Sequence, residues 1–233
     1  MPVLLRVVCV LAVGLMTLTT PGVGHAQGED PSAFCIVRLK YGGGGDWYSD
    51  PTSLPNLLEA ARERLGIRAA ARERVLTAGD LDLFKCPLLY LTGHGNVKFS
   101  DSEVERLRKY LTSGGFLWCD DNGPEQDSLD LYFRREMRRV FPEERFQPVP
   151  FDHPIYHIVY DFPEGPPKIH DHYPDQPPKG FGLFHEGRLV VFYTWNSDIG
   201  DGLENPEVHN NPPEKREAAL RMALNIVAYV LSY

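Results

Sequence analysis

Leu88–Gly95, reading LLYLTGHG, and Phe116–Gly123, reading FLWCDDNG, enclose a segment, Ser100–Ser113, whose apolar residues recur at helical rather than strand spacing. Leu88–Leu91 and Phe116–Trp118 have strand length. Between them, Ser100 with Glu103 forms a capping box, Val104, Leu107 and Leu111 share one helical face, and Gly114-Gly115 provides the stop. The pattern predicts a β-α-β unit with two parallel neighbours and a right-handed crossover. In open α/β sheets ligands gather beyond the carboxyl ends of the strands. Those ends here are Gly93-His94-Gly95 and Cys119-Asp120-Asp121-Asn122, so an imidazole, a thiol and two carboxylates are expected near one another.

Outward from this unit, Phe34–Tyr41 reads as a first strand running into Gly42–Gly45 and Asp46-Trp47-Tyr48. The glycines let the backbone approach a ligand closely or supply donor amides to an anion, and the carboxylate and rings beside them suit a polar ligand with an apolar face. Pro55–Leu65 follows as an amphipathic helix, and Val75-Leu76 as a short edge strand. Beyond the central unit come a helix over Leu129–Phe141, a short strand within Phe146–Pro150, and Asp152–His157 with two histidines four apart. Pro163–Lys179 is a long proline-rich loop carrying His170 and His172. Gly182–His185 and Leu189–Thr194 predict an antiparallel hairpin, and its second strand exits into Asn196–Gly202. Glu214–Ser232 is the last helix, apolar nearly all round from Met222 onward, and so expected to be clamped between the sheet and another element.

The 233 residues suit one α/β domain. Met1–Ala26 carries Arg6, an apolar run over Val7–Leu18 and small residues before a polar stretch, the order of a secretory signal. The run is too short for an ordinary membrane span. The expectation is therefore a periplasmic or secreted domain over residues 27–233, with no stable membrane span after cleavage. Loss of Met1–Ala26 removes Arg6 and no acid, taking the net charge from −8 to −9. That acidity excludes an electrostatic nucleic-acid binder. Arg134, Arg135, Arg138 and Arg139 are read as the solvated face of a surface helix. Of Cys35, Cys86 and Cys119, an odd number leaves at least one unbridged, and Cys35 is read as a buried thiol.

Tyr41–Tyr48 (YGGGGDWY), Leu91–Gly95 (LTGHG), Gly114–Asp121 (GGFLWCDD), Phe133–Phe141 (FRREMRRVF), Asp152–His157 (DHPIYH) and Leu220–Leu231 together resemble the bacterial domain-of-unknown-function family 4159, over Phe34–Tyr233. That family is similar to the class I glutamine amidotransferase-like superfamily, and the resemblance implies a flavodoxin-like three-layer sandwich with no settled activity. Cys119 stands where active members of the superfamily carry a nucleophile. Leu117 and Asp121, two residues either side, oppose the tight elbow such a nucleophile needs, and the following aspartates disfavour a thiolate.

Three chemistries remain. The favoured reading is a non-catalytic ligand-binding or scaffold domain for a small polar ligand or an envelope protein, using Gly44, Asp46, Trp47, His94, Asp120, Asp121 and Asn196. The alternative is a metal-assisted hydrolase of an envelope saccharide or peptide. Zinc or a related ion would then be held by ligands among His94, Asp120, Asp121, His153, His157 and Asp198, with His170 and His172 arriving from the proline-rich loop. The third is acid-base work by Asp120 and Asp121. Consecutive strand residues point to opposite sides, so one ligand contact and one helix cap are the expected roles.

Overall fold

The structure, a computed structural model, describes Asp30 and residues 32–120, 129–170 and 172–233. The expected leader Met1–Ala26 and the site residue Asp121 lie outside the described residues. In chain order the elements are β1 (Ile36–Leu39), α1 (Ser53–Arg64), β2 (Arg74–Leu76), β3 (Leu88–Leu91), α2 (Asp101–Thr112), β4 (Phe116–Asp120), α3 (Leu129–Val140), β5 (Gln147–Pro148), β6 (Lys179–His185), β7 (Arg188–Trp195), α4 (Ile199–Leu203), α5 (Pro206–His209) and α6 (Pro213–Ser232). The fold is α/β, with one seven-stranded sheet in the order β2-β1-β3-β4-β7-β6-β5.

The expected β-α-β unit forms as β3-α2-β4, with Leu88 beside Phe116 and Leu91 beside Cys119 in parallel register. Ser100 and Glu103 make the full capping box at the start of α2, which fixes where the crossover helix begins. β1, β2 and β7 extend the parallel sheet, while β6 and β5 join antiparallel at one edge. Every residue of β1, β3 and β4 is buried, as a sheet covered on both faces requires. Strand alternation sends Ile36, Leu88, Tyr90, Phe116 and Trp118 into the layer of α1 and α6, and Val37, Leu89, Leu91, Leu117 and Cys119 into the layer of α2 and α3. α6 packs on α1, α4 and the 3-10 turn Pro154–Tyr156, which accounts for its nearly uninterrupted apolar surface. Its one buried amide, Asn225, is satisfied by the backbone of Val159 and Tyr160.

Two expectations are corrected. Cys35 is disulfide-bonded to Cys86, with Cα atoms 5.1 Å apart. The parallel register that sets Ile36 beside Leu88 brings the residues just before each strand together, a proximity that the separate strand patterns do not carry. The arginines of α3 are also not simply a solvated face. Arg135 and Arg139 donate to the carbonyls of Val97 and Phe99, each at 2.7 Å, and both pair with Glu136, which is only 2% exposed. A carboxylate buried against the core needs that counter-charge, so the pair anchors α3 to the segment leading into α2. Arg134 lies 4.5 Å over the ring of Phe181 and 5.1 Å over that of Phe146.

The disulfide closes a separation of 51 residues. Chain-entropy reasoning assigns a loop of that length about 4 kcal/mol of stabilisation. The Cys35→Ala/Cys86→Ala double variant is expected to unfold in urea with a free energy lower by about 2–4 kcal/mol than the oxidised protein. An unchanged midpoint would show that the bridge contributes nothing to the folded chain.

Candidate functional site

The carboxyl ends of β1, β3, β4 and β7 open on one edge, and four aspartates gather on its α1–α6 side. Asp120 ends β4, Asp50 precedes α1, Asp198 follows β7 and Asp201 lies in α4; their exposures are 0%, 7%, 0% and 7%. Asp120 points to this side because its strand neighbour Cys119 points to the other. One Asp120 oxygen accepts from Gly200 N at 2.6 Å and the other from the Thr194 hydroxyl, so its role is to cap α4 and tie β4 to β7. A Cβ on Gly200 would lie 2.5 Å from Asp50 Oδ2, 2.6 Å from the Tyr90 hydroxyl and 3.3 Å from Asp120 Oδ2. Only glycine leaves space where these three oxygens converge.

Burial, then the neighbouring Asp201 and Asp198, push the Asp50 carboxyl well above the usual range. Burial and Asp198 do the same to Asp120. Asp198 goes the other way: burial would raise it, but hydrogen bonds from His170 and His172 outweigh that and hold it below the usual value. Two of the four acids thus favour a proton and one a charge, the pattern of a cluster in which like charges cannot all coexist.

The proline-rich loop delivers the histidines. Ile169, fully buried, donates its N–H to Ser197 O at 2.9 Å, and Lys215 Nζ donates to Ile169 O at 2.6 Å. Asn196 Nδ2 donates to Gln176 O at 2.8 Å while its Oδ1 accepts from Tyr173 N at 3.1 Å. The loop is therefore pinned on both sides of His170 and His172. Asp198 Oδ2 receives His172 Nε2 at 2.7 Å and His170 Nδ1 at 3.1 Å; Asp201 meets His170 Nδ1 at 2.6 Å and His209 Nε2 at 3.2 Å. Asn211 Nδ2 donates to Asp201 O, leaving Asn211 Oδ1 to accept from His170 Nε2 at 2.8 Å. Both His170 nitrogens then carry hydrogens, and its hydrogen bonds to Asp198 and Asp201 push its pKa up to about 10.

Asp50, Asn196 and Asp198 all adopt left-handed backbone, with φ of 54°, 55° and 59°. Asn and Asp tolerate this region better than other side chains, yet three such residues at one edge mark a site whose surroundings over-determine it.

The residues singled out from sequence fall into separate places. Asp120, Asn196, Asp198, His170 and His172 come together as described. His94 pairs instead with Asp46, whose Oδ2 lies 3.0 Å from His94 Nδ1 and whose Oδ1 accepts the His94 N–H. Gly43 and Gly45 beside them are needed for the approach of two loops, since a Cβ on either would lie 2.5 Å from the carbonyl oxygen of Asn96 or His94; Gly44 is exposed, with open space around it. Trp47 is half-buried, with Lys40 Nζ 5.3 Å from its ring centroid. His153 Nδ1 accepts from Ile155 N at the start of the 3-10 turn Pro154–Tyr156, and burial lowers its pKa. His157, at the other end of that turn, bonds Phe151 O and Asp161. One turn of 3-10 helix is too short to stack two rings four residues apart. Among the described residues, the groups of three or more His, Cys, Asp or Glu with ligand atoms within 4.8 Å of one another are His170, His172, Asp198 and His170, Asp201, His209. Neither includes His94, His153 or His157. Sequence reading passed over Asp50, Asp201 and His209; the signal for the last two was the run Asp198–His209 itself, polar and glycine-punctuated where a simple turn would have been shorter.

A His170 pKa raised from the ordinary 6.5 to about 10 contributes stability that is complete below about pH 6.5 and lost as pH rises through about 10. The thermal midpoint is expected to fall between pH 7 and 10, and His170→Gln to start lower at pH 6 and fall less steeply. Asp120→Asn, at a carboxyl that burial and Asp198 push above the usual range, is expected to cost less at pH 7 than Asp198→Asn, which loses about 2–3 kcal/mol by stripping a buried charge from its two histidine partners. Thermal and urea unfolding across that pH range measure both.

A comparison with the curated proteins finds no match for this chain. The model of DUF4159, a domain of unknown function, matches residues 35–231, the whole of the sheet, both helical layers and every residue of the acid and histidine cluster. By that match the chain belongs to the DUF4159 family.

Proposed function

We propose that this is an exported domain that binds, without transforming, a polar ligand bearing positive charge, in the crevice at the carboxyl ends of its strands. The observation that carries the reading is the convergence of Asp50, Asp120, Asp198 and Asp201, all buried, on one edge. Hydrophobic packing gains nothing from four carboxylates there, and a buried acid cluster is offset most directly by a cation. The half-buried rims of His170 and His172 leave the cluster open to solvent.

The parallel order β2-β1-β3-β4-β7 between the α1–α6 and α2–α3 layers supports the flavodoxin-like sandwich and the glutamine amidotransferase-like relationship. The non-catalytic reading is supported by Cys119, which is fully buried in the α2–α3 layer, on the opposite side of β4 from Asp120. Export is supported by the Cys35–Cys86 disulfide, which suits an oxidising compartment. Among the described residues no helix is long and apolar enough to cross a membrane. The partner class that follows is a small cationic ligand or a cation-bearing group of an envelope protein.

The test is a thermal-shift panel on the mature chain with glucosamine, a lysine dipeptide, zinc chloride and calcium chloride, against glucose and succinate as neutral and anionic controls. At least one cation is expected to stabilise, by about 2.7 kcal/mol at a hundredfold excess over its Kd. Asp198→Asn and His172→Gln, which remove the acid that both loop histidines contact and one of those two rings, are expected to abolish the shift. Stabilisation by the controls alone, or a cation shift that survives both variants, would sink the reading.

A further inference from the structure

We infer that the cation is a divalent transition metal of the zinc class, held by His170, His172 and Asp198. The inference rests on the cationic-ligand reading above and assigns the chemistry of that same site. Ligand atoms of the three residues lie within 4.8 Å of one another, with His172 Nε2 and His170 Nδ1 at 2.7 and 3.1 Å from Asp198 Oδ2. Tetrahedral zinc with bonds of about 2.0–2.1 Å holds its ligands about 3.3 Å apart, so small side-chain adjustments suffice to admit an ion. Two imidazoles and one carboxylate suit zinc or ferrous iron rather than magnesium or calcium, which take oxygen ligands.

An independent observation points to the same place. Asp198 is 1% exposed in its side chain, and its second oxygen, Oδ1, has no hydrogen-bond partner among the described residues. A buried carboxylate oxygen left unmatched is costly, and a metal ligand bond would satisfy it. Asp198 also holds left-handed backbone at the β7 exit, so its carboxylate is placed by the fold rather than by preference. The surrounding contacts have the form that supports a metal-binding histidine: His170 Nε2 bonds Asn211 Oδ1, whose own amide is fixed on Asp201 O, and this orients Nδ1 toward Asp198, where an ion would displace the Nδ1 proton to solvent. His170 and His172 retain side-chain exposures of 29% and 18%, which gives an ion a route from solvent. The overlapping group His170, Asp201, His209 is the lesser choice because His209 lies on the exposed four-residue α5.

The experiment is calorimetric titration of zinc chloride into the metal-free mature chain, with metal content measured after dialysis, alongside His172→Gln, Asp198→Asn and His209→Gln. The expected result is one zinc per chain, affinity reduced at least a hundredfold in His172→Gln and in Asp198→Asn, and less than threefold in His209→Gln. Circular dichroism and the thermal midpoint of each variant separate lost ligation from lost folding, and His172→Gln, on a surface loop, serves if Asp198→Asn does not fold. Zinc binding that survives His172→Gln but not His209→Gln would overturn the assigned ligand set. Failure of zinc to bind while glucosamine or the lysine dipeptide still stabilises the parent would overturn the metal and leave the cationic-ligand reading standing. Failure of every cation in both assays would overturn both.

Discussion

A carboxylate buried just beyond the tip of an interior strand is a charge that the protein interior does not tolerate alone, and the carboxyl edge of this sheet is arranged around the one on Asp198. Its Oδ2 draws in His170 and His172, and these two rings explain why the proline-rich loop lies against the sheet instead of trailing in solvent. The loop's carbonyls also accept from the Asn196 amide, the Ser197 hydroxyl and the Lys215 ammonium, so the ion pairs do not carry it unaided. Burial, and after it the neighbouring acids, push Asp50 and Asp120 up from the usual carboxylate range, while the two histidines hold Asp198 below it.

The sheet decides which residues can take part. Alternation along β4 separates Cys119 and Asp120 by a full layer: the thiol lies in apolar surroundings with Tyr41 and Leu91, and the carboxylate meets Thr194 and the start of α4. At the end of β3 the His94–Asp46 pair belongs to the contact between two glycine-containing loops. Strand ends that sit side by side thus serve different purposes, and nearness in sequence to a promising neighbour says little about sharing its site.

Elsewhere the same economy of buried charge appears in a structural role. Glu136 on α3 is matched by Arg135, Arg139 and Phe99 N, which join α3 to the entry of α2 and close that layer over Cys119. At the opposite end of the sheet the Cys35–Cys86 bridge ties the starts of β1 and β3, so the parallel core is fastened covalently at the end away from the acid cluster.

The sequence by itself determined the elements, because hydrophobic period, capping residues and stop signals are local. The β3-α2-β4 unit, the edge strand at Val75, the short strand at Gln147, the antiparallel strands around Gly187 and the long terminal helix were all legible in this way. It also named His170, His172 and Asp198 as residues with ligand chemistry, though in company with His153 and His157, which a single 3-10 turn keeps apart from them. Only the tertiary structure decided which of these meet. The convergence of Asp50, Asp120, His170, Asp198 and Asp201 depends on the register of four parallel strands and on where a proline-rich loop is pinned, and the Cys35–Cys86 bridge depends on that same register. Register is set by the packing of two helical layers on the sheet, a long-range balance of burial that no local pattern of residues records.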